Sequence, residues 1–324
     1  MTPNRQTLLE IFSKMSLSKQ SDEKMRSAIK SGKLSLPYYS ARGQECIPAA
    51  VSACLRTDDY ICTIYRGMHD ALSKGVPLKL LWAEYAGKAS GTCKGKGGPM
   101  HITHPESGVM VTTGIVGSSM PVANGLAWAS QLSGDGRVTV AYFGDGASNI
   151  GAFHEALNLA SLWKLPVIFV CQNNHYSEHT RFAAGTAVDR VSRRADSYSM
   201  PGVTVNGNDP VDVYAAAELA IARARAGDGP TLIEAMTFRL FGHVFGDDDS
   251  VMLPGEREEA MKSDPYPIFR SRLIAEGNAA EDELAEIEAA HALQVNDALR
   301  YALESEYPGV NELCHDVYAT ETLS

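Results

Sequence analysis

Two points in this chain offer oxygen ligands that a hard cation could use. Gly144-Asp145-Gly146 is followed, after 26 intervening residues, by Asn173-Asn174. Residues 138–143 (VTVAYF) lead into the first, and residues 165–171 (LPVIFVC) lead into the second. Both runs read as buried strands, each delivering a ligand at its carboxyl end. In an open parallel sheet, ligands bind just outside those ends. A carboxylate and an amide oxygen held there suit a Mg²⁺ that carries a diphosphate.

The triplet alone says little, because the chain has three of them. Gly134-Asp135-Gly136 and Gly227-Asp228-Gly229 each follow a helical pattern and precede a strand. They read as helix-to-strand turns with glycine in the left-handed conformation. Gly144-Asp145-Gly146 has the opposite polarity: it follows a strand, and residues 149–163 then read as a helix. Its amides are expected at that helix's N-terminus, an anion site. A nicotinamide-type dinucleotide site is the competing reading, since Gly144-x-Gly146-x₄-Gly151 is a loose version of its glycine fingerprint. That fold wants an acidic residue at the end of the next strand. The chain has Gln172, Asn173 and Asn174 there, which favours metal-diphosphate binding.

The elements that must position these residues follow from periodicity. Residues 4–32 read as a helical arm with an apolar stripe of Leu8, Leu9, Ile11, Phe12 and Met15. Residues 43–56 read as a second helix, 60–65 as a short strand closed by Tyr65-Arg66, and 78–86 as a helix. Residues 88–113 and 238–255 read as long loops, a length that is usually functional or disordered. Between 117 and 237 helices and strands alternate, which predicts a doubly wound parallel sheet. Beyond 255 the chain is acidic and helical, with residues 281–304 the longest stretch. The expected class is α/β. The expected domains are an N-terminal helical arm (1–36), a diphosphate-binding α/β domain (37–255) and a C-terminal helical extension (256–324).

Bulk properties exclude other classes. A chain of 324 residues with 44% hydrophobic and 21% charged residues is ordinary for a globular protein. A net charge of -10 argues against nucleic acid. No apolar stretch is long enough to span a membrane. The N-terminal residues lack a signal-peptide core, so a cytoplasmic setting is expected. The six cysteines show no C-x-x-C pairing and read as reduced core thiols.

The run GDGASNIGAFHEALNLASLWKLPVIFVCQNNHY (residues 144–176) resembles the thiamin diphosphate motif. It is similar to the α subunit of the decarboxylating component of 2-oxo acid dehydrogenases, with the acetoin branch nearest. The likeness extends through Gly43-Gln44-Glu45, Tyr65-Arg66-Gly67, residues 93–101 (CKGKGGPMH), Gly114-Ile115-Val116-Gly117, residues 200–205 (MPGVTV) and Gly242-His243. It reaches the tail at Tyr307, Glu312 and Asp316-Val317-Tyr318.

The resemblance implies a cofactor, thiamin diphosphate with Mg²⁺, and a set of residues. Asp145, Asn174 and the backbone carbonyl of Tyr176 would hold the metal. Tyr65, Arg66, Arg239 and Gly144 to Ala147 (with Gly146 between) would bind the cofactor. Gly114 would meet the aminopyrimidine, and Val116 would force the two rings together. His243 would lie beside the diphosphate and the reacting centre as the catalytic residue, moving protons or helping to receive the lipoyl group. Family members carry a histidine three residues after the position of Tyr65. Here that residue is Met68, with His69 one place later, and His69 is given no catalytic role. His101-x-x-His104 reads as loop structure.

The resemblance further implies half an enzyme, whose other half is a β subunit in an α₂β₂ assembly. The reaction would cleave a C–C bond next to a carbonyl in acetoin or a 2-oxo acid such as pyruvate. The acyl group would pass to a lipoyl carrier on an acyltransferase. Two alternatives stand beside this reading. One is a thiamin-dependent lyase or ligase that never meets lipoamide, and the other is a non-catalytic α-like scaffold.

Overall fold

Apolar, β-branched segments pair into one sheet of six parallel strands. A computed structural model of the chain describes residues 2–248 and 250–316. Met1, Asp249 and the tail residues Val317 and Tyr318 lie outside the described residues. The strands are β1 (Tyr60–Ile64), β2 (Val109–Thr113), β3 (Thr139–Gly144) and β4 (Val167–Asn173). A two-stranded hairpin follows, β5 (Tyr176–Ser177) with β6 (Thr180–Arg181). The sheet is completed by β7 (Gly202–Asn206) and β8 (Thr231–Met236), in the order β2-β1-β3-β4-β8-β7. The direction in which successive strands are added reverses between β1 and β3, which is where an open sheet leaves a crevice.

Both faces are covered, because alternate residues of each strand point to opposite sides. Val140 and Tyr142 of β3, with Ile168 and Val170 of β4, enter a core shared with helices Arg5–Lys30, Pro210–Arg225, Pro265–Ala275 and Glu281–Glu304. Ala141, Phe143, Phe169 and Cys171 enter a second core under helices Ser119–Ser133 and Gly151–Leu162. The fold is therefore α/β, with a wound parallel sheet and a long N-terminal helix. Gly134 (φ 63) and Gly227 (φ 79) end their helices in the left-handed conformation, as expected of turns. No helix of the described residues is long and apolar enough to cross a membrane.

Four local expectations are corrected. The helix expected over 43–56 is Cys46–Ser52. Gly43 takes φ 96, and a Cβ there would meet the Leu240 side chain at 2.8 Å, so the entry belongs to a tight backbone crossing. After Ser52 the chain turns through i→i+3 bonds, Cys54 N to Val51 O and Leu55 N to Ser52 O. Helix Met68–Lys74 was not anticipated. The loop 88–113 ends in the edge strand β2, whose VMVTT pattern is β-prone but lies beside a glycine-rich segment. Finally, Asp145-Gly146 opens a 3₁₀ turn (Asp145–Asn149), and the α-helix begins only at Gly151. The amides at Gly144-Asp145-Gly146 thus belong to a turn, not to the helix N-terminus.

Candidate active site

The carboxyl ends of β1 to β4 open onto one cleft. Tyr65 and Arg66 reach it from β1, and Val116 and Gly117 from the turn after β2. Gly144, Asp145, Gly146 and Ala147 line it from β3. Asn174 and the hairpin residues Tyr176, Ser177 and Glu178 line it beyond β4, and His243 enters from the 238–255 loop.

β3 and β4 are neighbours, and Gly144 pairs with Gln172. That register sets Asp145 beside the end of β4, so the spacing in sequence becomes adjacency in space. A Cβ on Gly146 would meet Ser177 Oγ at 2.1 Å. Only glycine lets the turn pass so close to the hairpin. Asp145 is buried, and burial pushes its carboxyl up to about 6, while backbone hydrogen bonds and the Arg239 charge pull the other way. Asn174 is oriented from both ends of its amide. Its Nδ2 donates to Gln44 Oε1 (3.1 Å), and its Oδ1 accepts from Tyr176 N (3.2 Å). The Oδ1 has a second lone pair to offer. Gln44 belongs to the Gly43-Gln44-Glu45 segment, and this contact gives that segment a positioning task.

The cationic side of the cleft is unusual. Arg66 and Arg239 are 5% and 0% exposed. Among the described residues, neither has a carboxylate within ion-pair distance. Arg66 donates to Ser40 O (2.7 Å) and His243 O (3.1 Å), and Arg239 donates to Glu178 O (2.8 Å). Among the described residues, Arg239 Nε has no partner. Burial lowers both guanidiniums, Arg66 to about 10. Buried cations without counter-charges are costly unless a ligand supplies the charge. His243 Nδ1 lies 3.4 Å from Arg66 Nη2 and 3.5 Å from Arg239 Nη1. Burial and then these two cations lower its imidazole to about 4, so it is neutral near pH 7. Tyr39 and Tyr65 brace the ring edge-on, at centroid distances of 5.3 and 5.9 Å.

Two expected site residues stand back from the cleft wall. Gly114 packs near the ring of His101, and Arg239 reaches the site through His243 and Glu178. Val116 is 47% exposed, and Ile115 is 71% exposed. His69 is a core residue whose Nε2 contacts Gln172 Oε1 at 3.0 Å. His104 is tied to Ser107 Oγ at 2.9 Å within its loop. Tyr39, Gln44, Ser177 and Glu178 were not anticipated. The last two follow Tyr176 directly, and that adjacency was the only signal for them. No three His, Cys, Asp or Glu side chains cluster as a metal cage among the described residues. A cation here would take one carboxylate, one amide oxygen and backbone or ligand oxygens, as Mg²⁺ does.

Comparison with known proteins shows what the chain is similar to. The family model of the dehydrogenase E1 component matches residues 13–311. The α subunit of acetoin:2,6-dichlorophenolindophenol oxidoreductase from Bacillus subtilis (strain 168) is 43% identical over 279 residues, covering 86% of this chain and 83% of that protein. Its counterpart from Cupriavidus necator is 36% identical over 318 residues, covering 98% and 96%. The pyruvate dehydrogenase E1 component α subunit of Porphyra purpurea is 34% identical over 319 residues, covering 96% and 93%.

Proposed function

Because the chain belongs to the dehydrogenase E1 component family, we propose that it is the α subunit of a thiamin diphosphate-dependent dehydrogenase of the acetoin and pyruvate type. The enzyme cleaves a C–C bond next to a carbonyl and passes the acyl group to a lipoyl carrier on an acyltransferase. The observation that carries the site assignment is a pair of buried guanidiniums with no ion-pair partner among the described residues, Arg66 lining the same cleft as Asp145 and Arg239 directly behind it against His243 and Glu178. Two guanidiniums without counter-charges fit a diphosphate. A buried carboxylate raised by desolvation fits the cation that a diphosphate brings with it.

In this reading Asp145, Asn174 Oδ1 and the Tyr176 carbonyl hold Mg²⁺. Tyr65, Arg66 and Arg239 hold the diphosphate, aided by the turn Gly144, Gly146 and Ala147. Gly114 backs the pyrimidine end, and Val116 supports the bent cofactor. The bound cofactor supplies a carbanion sink for the cleaved bond. His243, neutral and braced by Tyr39 and Tyr65, offers its imidazole for proton movement at the reacting centre.

The β subunit is the second half of this reading, as an α₂β₂ assembly. An exposed apolar strip supports it. Ile115 and Val116 at the cleft rim continue along helix Ser119–Ser133 to Trp128 and Leu132. Trp128 packs on Trp163 at 5.0 Å, with both rings more than 40% exposed. Patches of this kind mark subunit contacts. The arm (1–36) and the extension (256–324) are read as additions to a cofactor domain (37–255), although helices Arg5–Lys30 and Glu281–Glu304 share one core with its sheet. The six free cysteines, three of them buried, support a cytoplasmic setting.

The test is co-expression with a β chain, followed by calorimetry with thiamin diphosphate and Mg²⁺. Turnover of acetoin and pyruvate is then followed with dichlorophenolindophenol as acceptor. The pair is expected to bind and turn over, and the α chain alone to do neither. Turnover by the α chain alone would overturn the half-site reading.

A further inference from the structure

Among the described residues that line the cleft, Glu178 is the one charged group that the cofactor reading leaves without a task. It lines the cleft five residues past the end of the Val167–Asn173 strand. Its backbone is left-handed, φ 52, a conformation that a glutamate rarely adopts. Arg239 Nη2 holds that backbone by donating to the Glu178 carbonyl at 2.8 Å. The carboxylate is exposed, and its negative charge is felt by both Tyr65 and His243. Glu178 thus shares the wall of the cleft with His243, the residue placed at the reacting centre.

Other charges at the cleft do not offset it. Arg66 is the only cation that lines the cleft among the described residues. It is tied to Ser40 and His243 carbonyls, and in the reading above it faces the diphosphate. Arg239 is fully buried behind His243. His243 brings no positive charge near pH 7. From the described residues of this chain, a substrate in the cleft thus meets the Glu178 carboxylate and no free cation. A neutral hydroxyketone loses nothing by this, but the carboxylate of a 2-oxo acid is repelled. Like-charge contacts of this sort set specificity by excluding the wrong ligand.

We propose that Glu178 is a specificity-determining residue, which selects a neutral hydroxyketone over an anionic 2-oxo acid at this site. The proposal rests on the thiamin-enzyme reading. Its experiment uses the assembled α and β chains carrying Glu178→Gln and, separately, Glu178→Asp. Two quantities are read: the ratio of kcat/KM for pyruvate to that for acetoin, and the affinity for methyl acetylphosphonate, a monoanionic 2-oxo acid mimic, by calorimetry. Glu178→Gln is expected to raise the ratio about tenfold, through a lower KM for pyruvate. It should tighten the mimic by a similar factor, with thiamin diphosphate affinity moving far less. Glu178→Asp, which keeps the charge, should stay near the wild-type ratio. An unchanged ratio and unchanged mimic affinity in Glu178→Gln would overturn the proposal. So would a loss of cofactor affinity equal to the change in the mimic, because Glu178 would then serve the cofactor. A wild-type assembly that binds no thiamin diphosphate would instead sink the functional reading, and this assignment with it.

Discussion

At the amino end of the sheet the buried Asp59 is closed in on every side. Its oxygens accept from Arg56 N (2.7 Å), Val138 N (3.0 Å) and Arg225 Nη1 (3.0 Å), and Arg225 also donates to Gly136 O (2.8 Å). At the carboxyl end, Asp145, Arg66 and Arg239 are as deeply buried, yet none has an ion-pair partner among the described residues. The two ends are built from the same strands and carry the same kinds of charge. What differs is that the first set is satisfied by the chain itself, while the second has no counter-charge among the described residues. Buried charge at the amino end should therefore support stability, and buried charge at the carboxyl end should oppose it until a cofactor arrives.

Removing one carboxylate from each end should give opposite results. Asp145→Ala is expected to weaken Mg²⁺-dependent thiamin diphosphate binding by about 1,000-fold, beyond the roughly 100-fold that an outer-shell partner is worth. Circular dichroism should show the fold kept. Calorimetry giving wild-type affinity would erase the contrast. Asp59→Ala strands Arg225 and should cost about 3 kcal/mol of folding stability in denaturant titration. Cofactor affinity per folded molecule should hold.

His243→Ala probes the carboxyl end from its loop side. A group that moves protons in the transition state should lose about 100-fold in kcat. Cofactor affinity should change much less. An unaltered kcat with the natural acceptor would return His243 to a structural part.

The smallest effect is the most diagnostic. Burial raises the Asp145 carboxyl to about 6, above its ordinary value, so the folded protein holds that proton more tightly than the unfolded chain. Ionised Asp145 therefore costs stability as pH rises from about 4 through 6. Asp145→Asn should stabilise the cofactor-free protein at pH 7 by about 1–2 kcal/mol, and the gain should vanish near pH 4. Destabilisation at pH 7 would mean that Asp145 is already paired.

The carboxyl end was largely legible in the sequence, and the amino end was not. Asp145 and Asn174 declare themselves because each ends a strongly apolar run, and because β3 and β4 are sequential and adjacent. Helix Glu281–Glu304 has the bounds that periodicity suggests. Asp59 and Arg225 are 166 residues apart in sequence and share no motif, so only the folded sheet brings them together. Glu178 was hidden for another reason. A lone glutamate in a polar loop has no period and no fixed spacing, and its meaning comes from the left-handed turn that aims it. The 3₁₀ turn at Asp145–Asn149 was masked by the helical pattern that continues through it.

Glu84 carries a consequence of a different kind. It is fully buried, and its two oxygens accept from the backbone amides of Cys93, Gly95, Gly97 and Gly98 at 2.7 to 3.0 Å. The space around the loop bars side chains at Gly95 and Gly97, where a Cβ would meet Gly87 O at 2.5 Å and His101 O at 2.1 Å. Lys94 and Lys96, which flank Gly95, reach outward to Asp316. In evolutionary terms the loop has one locus of control. A change at Glu84 releases four amides together, and a change at Gly95 or Gly97 meets a wall. Sequence drift is thereby channelled into the alternating outward positions, and the loop's shape is inherited whole or lost whole.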